Sequence, residues 1–175
     1  SEFVSAQNQR ILVVPYTRFQ FVSDFKLEEL AEINEVKPSD IYKTYVEELN
    51  STLSTASNEQ ISFIPIEPQK YAEVKKYIRY NLDKFNGRNY SASNLSLFPD
   101  EAYQALLLEH NATHILFVNW YNISKSVHTT FIGDRNKRQK YSTHEIDYDV
   151  YNQDKTRIIG KNKATLDCGD FPSAS

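Results

Sequence analysis

The chain has 175 residues, with 20 Lys and Arg against 23 Asp and Glu, a net charge of −3, and a single cysteine. That length suits one domain able to bury about 70% of its unfolded surface without metals or disulfides, and the acidic balance argues against a general binder of nucleic acid or anionic membranes. Cys168 alone can form neither an internal disulfide nor a multi-cysteine metal site, and no apolar run approaches the roughly 20 residues of a membrane helix.

Residues 1–9 read as a disordered stretch or a remnant, since Val4-Ser5-Ala6 resembles the small-residue end of a secretory signal peptide. Arg10 to Tyr16 is an unbroken β-branched apolar run, expected as a strand buried on both faces and ended by Pro15. Residues 17–37 allow two readings. Ser23-Asp24 could cap a helix carrying Leu27, Leu30, Ala31 and Asn34, or the stretch is a long ordered loop. Pro38-Ser39-Asp40 opens a helix with Ser39 as cap and Ile41, Tyr45, Leu49 and Leu53 on one face.

Gln60 to Ile66 predicts a second strand, which Pro65 assigns to a sheet edge because proline lacks a ladder donor. Glu67-Pro68 starts a further helix whose Tyr71, Val74, Ile78, Leu82 and Phe85 form one stripe, and 86–94 reads as a loop. A last helix runs from Pro99-Asp100-Glu101 to about His110. His114 to Tyr121 is the second strand with a doubly buried pattern and should lie beside the first.

Strand character continues over 122–130, with a turn at Gly133 to Asn136. Gln139 to Tyr151 then alternates, with His144, Ile146, Tyr148 and Val150 on one face and Glu145, Asp147 and Asp149 on the other. A turn at 152–155 leads into a final strand, Arg157 to Asp167, followed by a flexible tail over 168–175. The resulting fold class is mixed α/β (α+β): a five-stranded mixed sheet in the order β-α-β-α-α-β-β-β, packed with helices and closed by an antiparallel meander. With the second strand at an edge, the spatial order is 2-1-3-4-5. Leu12, Val14, Leu116 and Val118 are the expected centre of the core.

Only four glycines occur, none clustered, so no phosphate-cradling loop or dinucleotide fingerprint can be built. No Gly-x-Ser-x-Gly elbow is present and the four histidines are scattered. No catalytic, cofactor-binding or metal residue is therefore assigned. Glu145, Asp147 and Asp149 could hold a cation such as calcium, but the stronger reading is a solvent face paired across strands with Arg157, Lys161 or Lys163. Arg135, Lys137, Arg138 and Lys140 form a basic hairpin tip, read as a solubilising loop. The Asn-x-Ser/Thr sequons beginning at Asn50, Asn89, Asn94, Asn111 and Asn122 are attributed to composition.

Thr113-His114-Ile115-Leu116-Phe117-Val118 and the closing segment Tyr148 to Gly160, with its Asp-x-Lys/Thr turn, resemble a group of bacterial envelope domains. The group comprises the N-terminal domain of TolB, the curli-secretion lipoproteins and the lipoprotein activators of penicillin-binding proteins. The resemblance implies an exported, non-enzymatic module in the periplasm or cell envelope that docks on other envelope proteins and needs no cofactor. The alternative is a hydrolase whose site is assembled only by the fold. The candidate interaction surface is an aromatic-rich final hairpin and sheet edge: Trp120 and Tyr121 at the end of the central strand, Tyr141, Tyr148 and Tyr151, and Lys161 and Lys163 on the outer strand.

Overall fold

The computed structural model describes residues 8–85, 88–132 and 135–168, and the side chains among them other than those of 83–90, 126–141 and 161–168. Eight strands and four helices follow in the order β1 (Gln9–Val14), β2 (Phe21–Ser23), α1 (Leu27–Asn34), α2 (Ile41–Ala56), β3 (Ile61–Pro65), α3 (Pro68–Val74), β4 (Arg79–Phe85), β5 (Arg88–Asn94), α4 (Asp100–Glu109), β6 (His114–Ile132), β7 (Arg135–Tyr151) and β8 (Arg157–Cys168). The main sheet runs β3-β1-β6-β7-β8, the spatial order expected from the sequence, with β1 parallel to both β3 and β6 and the last three strands antiparallel.

Pro15 ends β1 as expected, because it has no N–H to continue the ladder. The chain makes a short turn at Arg18–Gln20, held by the Thr17 N–H donating to Gln20 Oε1 at 2.6 Å, and returns to the same side of β6 as β2. The open reading of 17–37 thus resolves into a turn, a three-residue strand and α1. Ser23 and Asp24 do not cap that helix. Ser23 Oγ accepts the Phe25 N–H at 2.9 Å, while Asp24 Oδ2 accepts the Lys125 N–H at 2.9 Å and prolongs the pairing with β6. Nor is Ser39 a cap, since it sits inside a 3-10 turn over Pro38–Asp40 that precedes α2.

The larger correction falls between α3 and α4. The expected helix through Phe85 stops at Val74, tightens into a 3-10 turn over Lys75–Tyr77, and gives way to β4, which pairs with β5 where a loop was expected. Tyr80 still packs on the core, whereas Leu82, two residues further towards the hairpin tip, is exposed.

The sheet separates two apolar layers. Leu12 and Val14 join Ile115, Phe117 and Tyr151 in a layer covered by α3, α4 and the β4–β5 hairpin. Val13 joins Val118, Tyr121 and Ile123 in a second layer covered by α1 and α2. Positions 118 and 121 could not share a face in a regular strand. They do so because the register with β7 shifts between Val118 and Trp120, leaving Asn119 as the extra residue of a β-bulge. Leu12, Val14 and Val118 are buried as expected, but Leu116 is only half-buried, packed against the α1–α2 layer without being enclosed by it.

The turn between β7 and β8 is seated on α4. Asn152 Oδ1 accepts the N–H groups of Asp154 and Thr156, each at 2.9 Å, and Lys155 adopts φ 60°. Its ammonium reaches Phe98 O at 2.8 Å and Asp100 Oδ1 at 2.6 Å, while Tyr103 Oη donates to Asn152 O at 2.6 Å.

Candidate functional site

The four candidate residues whose side chains are described do not lie on one surface. Trp120 is half-buried in the middle of β6, opposite Asp147, because β6 runs on to Ile132 and residue 120 is not its end. Tyr121 and Tyr151 are buried on opposite faces of the sheet. Tyr151 packs edge-on against Phe117 with ring centroids 5.5 Å apart. Tyr148 is half-buried on β7, opposite Asn162. The side chains of Tyr141, Lys161 and Lys163 lie outside the described residues, although their backbones belong to β7 and β8. The side chains of the basic tip residues 135–140 and the whole of segment 1–7 lie outside that description as well.

What the sequence reading missed is a ladder made of side chains. Asp147, Asp149 and Tyr151 share one face of β7 and lie against β5. The Ser91 N–H donates to Asp147 Oδ2 at 3.1 Å, and the Ser93 N–H and hydroxyl both donate to Asp149 Oδ2 at 2.8 Å. Tyr151 Oη donates to Ser93 O at 3.0 Å, and Arg157 Nη2 donates to the same oxygen at 2.9 Å. Spacing of two along β7 meets spacing of two along β5, so side chains satisfy backbone groups that a neighbouring strand would otherwise pair.

Asn119, at the bulge, adds a third donor to Asp149 Oδ2 at 2.9 Å, and the Arg157 guanidinium lies 3.9 Å from Asp149 Oδ1. The expectation of a solvent face is therefore wrong for Asp147 and Asp149, which are 2% and 1% exposed. Burying an ionised carboxylate is costly unless donors surround it, and Asp149 has them. The sequence signal was the coincidence of Ser91-Ala92-Ser93 with Asp147-Tyr148-Asp149, two small polar i, i+2 pairs. Among the described residues no group of three or more His, Cys, Asp or Glu could hold a metal ion.

The opposite face carries an aromatic layer. Phe21 lies between Tyr16, Tyr45 and Tyr121, with centroids 6.0, 5.3 and 5.6 Å away. Tyr121 Oη bonds His144 Nδ1 at 2.6 Å, and Tyr42 Oη donates to Tyr16 O at 2.5 Å. Burial, followed by the neighbouring Tyr121, raises the pKa of Tyr16 far above the ordinary phenol range. Burial pushes Tyr42 up to about 12 and lowers His144 below its usual value, because charge is disfavoured away from water. Tyr16 Oη and His144 Nε2 have no hydrogen-bond partner among the described residues. Both groups are enclosed by core side chains, so they can hold the layer in register but do not meet solvent.

The surface on the outer side of β8 differs. β8 is the last strand of the sheet, hydrogen-bonded only to β7 among the described residues, and its Ile158 and Ile159 are 49% and 38% exposed.

No protein-family model matches the chain, and no curated protein matches it. Some solved structures align with most of the chain at low identity and low TM-score. Lipoprotein GNA1162 from Neisseria meningitidis is 13% identical, with a TM-score of 0.38 over 93% of this chain and 84% of that one. A putative neuraminyllactose-binding hemagglutinin homolog from Helicobacter pylori is 10% identical, with a TM-score of 0.41 over 95% and 68%. The LpoB C-terminal domain from Salmonella enterica is also 10% identical, with a TM-score of 0.37 over 94% and 84%. No helix among the described residues is long and apolar enough to cross a membrane.

Proposed function

We propose that this chain is an exported, non-enzymatic binding or scaffolding module of a bacterial envelope assembly, and that it recruits other envelope proteins by adding their extended segments to β8. The observation that carries this reading is the β8 edge: twelve residues, outermost in the sheet, with Ile158 and Ile159 exposed at its start. A strand in that position presents unpaired N–H and C=O groups at the spacing an incoming strand needs. Support also comes from the resemblance of 113–118 and 148–160 to envelope domains, and from the enclosure of the best-organised polar groups, Asp149 and His144, inside the core.

Proline scanning tests the edge. Asn162 pairs with Tyr148 and Thr165 with Glu145 in one continuous register, so the two positions differ in parity. One N–H points into the ladder with β7 and the other points outward. Of Asn162→Pro and Thr165→Pro, the outward variant should keep its fold and lose partners recovered from native envelope extracts, because proline removes the donor an added strand requires. If folded variants of both kinds recover the same partners as the parent, strand addition at β8 is ruled out.

A further inference from the structure

β8 is not one continuous template for a guest strand. From Asn162 to Cys168 each residue meets one residue of β7, running from Tyr148 back to Ser142 without a break. Before Asn162 the register shifts twice, between Tyr148 and Val150 and again between Val150 and Tyr151, so the next pairs are Val150 with Ile159 and Tyr151 with Arg157. Each shift leaves one residue more on β8 than on β7. The first lies at Gly160-Lys161, across from Asp149, and the second at Ile158. A bulge of this kind bends the strand and breaks the even alternation of N–H and C=O groups along its edge, and natural sheets use bulges to close an edge to further strands.

The bulged half is also held in that shape. Arg157 passes so close to Gly160 that a Cβ there would collide with it, and its Nη2 donates to Ser93 O at 2.9 Å while its Nε donates to Tyr151 Oη at 3.3 Å. Straightening 157–161 to receive a guest would pull the guanidinium away from both acceptors, so the bulges persist when a partner arrives. Ile158 and Ile159, although exposed, belong to this half and lie outside the regular part of the edge.

We infer that strand addition at β8 is confined to Asn162–Cys168, and that its occupant is an extended segment of a partner protein paired over these seven register positions. The inference rests on the strand-addition reading for the kind of occupant, and takes its place and length from the two bulges. A segment that runs on past Asn162 leaves the ladder there, because the donors and acceptors beyond it no longer fall at the spacing of a regular strand.

The test supplies the edge with a strand longer than the inferred footprint. A segment of about ten alternating Thr and Val residues is fused to the full chain after Ser175, so that it turns back antiparallel along β8 at high effective concentration. Amide hydrogen exchange of the fused chain is then compared with that of the parent, residue by residue. The outward-pointing amides of 162–168 should exchange about tenfold more slowly, the protection of a paired state favoured about ten to one, whereas the amides of 157–161 should keep the parent's rates. The outward member of Asn162→Pro and Thr165→Pro, placed in the fused chain, should cut that protection, because it removes a donor from the paired stretch. Slowing that continues through 157–161 overturns the inference and leaves strand addition standing; no slowing anywhere along β8 removes both. The inference is also overturned if the unfused parent self-associates in sedimentation and the outward proline abolishes that association, because the occupant is then a second copy.

Discussion

Asp149 shows how a residue that looks like surface can anchor a core. One carboxylate oxygen accepts from Ser93 twice and from Asn119 once, within 2.9 Å, so removing it strands three donors in a dry environment. Asp149→Ala should lower unfolding stability by about 3–5 kcal/mol in urea titrations, whereas Asp149→Asn, which keeps an acceptor oxygen, should lose distinctly less. His144 predicts a pH effect. Burial lowers its pKa in the folded state, so below the unfolded value of about 6.5 the unfolded chain takes up the proton more readily than the native one. Stability is therefore full above that value and falls as the pH drops toward the folded pKa. His114, lowered for the same reason, contributes with the same sign. Urea midpoints measured at neutral and mildly acidic pH should diverge less in His144→Gln than in the parent, and an unchanged divergence would remove His144 as the source.

At the scale of elements, legibility depended on whether a segment's own residues determined its structure. The runs 10–16 and 114–121 announced β1 and β6 because strands buried on both faces carry continuous apolar sequence, and Pro65 correctly sent β3 to an edge. The stripe Tyr71, Val74, Ile78, Leu82 was misleading because no Gly or Pro interrupts 69–86, so nothing in the local sequence marks where α3 ends and β4 begins. β5 was illegible for a different reason. Ser91-Ala92-Ser93 has weak strand propensity, and the backbone there is held extended by carboxylates 56 residues away in the chain. Trp120 and Tyr121 mark the end of the apolar run but not of the strand, whose character continues over 122–130, and the bulge at Asn119 that sorts their faces has no sequence mark. A glycine completes the β7–β8 pairing near this ladder. A Cβ on Gly160 would stand 2.3 Å from Arg157 Cδ and 3.3 Å from Asp149 Oδ1. Gly160→Ala should displace Arg157 from Ser93 O and destabilise by about 1–3 kcal/mol, and the cost should shrink when Arg157 is already alanine, a coupling measurable by a double-mutant cycle.

For the whole molecule, β1 and β6 supply side chains to both apolar layers, so neither layer can be lost without disturbing the other. Val118→Asp, in the layer under α1 and α2, should therefore cost at least about 4 kcal/mol by burying an unpaired charge, and should unfold both layers in one transition. Spectroscopic probes near Tyr45 and near Phe98 would report the same midpoint, and a mutant as stable as the parent would remove Val118 from the sheet centre. The edges of that sheet also decide what kinds of assembly the molecule can enter. On one side β3 is short and ends in Pro65, and the hairpin strand β5 has its outward N–H groups at Ser91 and Ser93 taken by Asp147 and Asp149. Of the two outermost strands of the main sheet among the described residues, β8 is the longer, with twelve residues against five in β3. Two copies that meet through β8 close as a symmetric pair, because such a contact uses the same edge on both partners and offers it to no third copy.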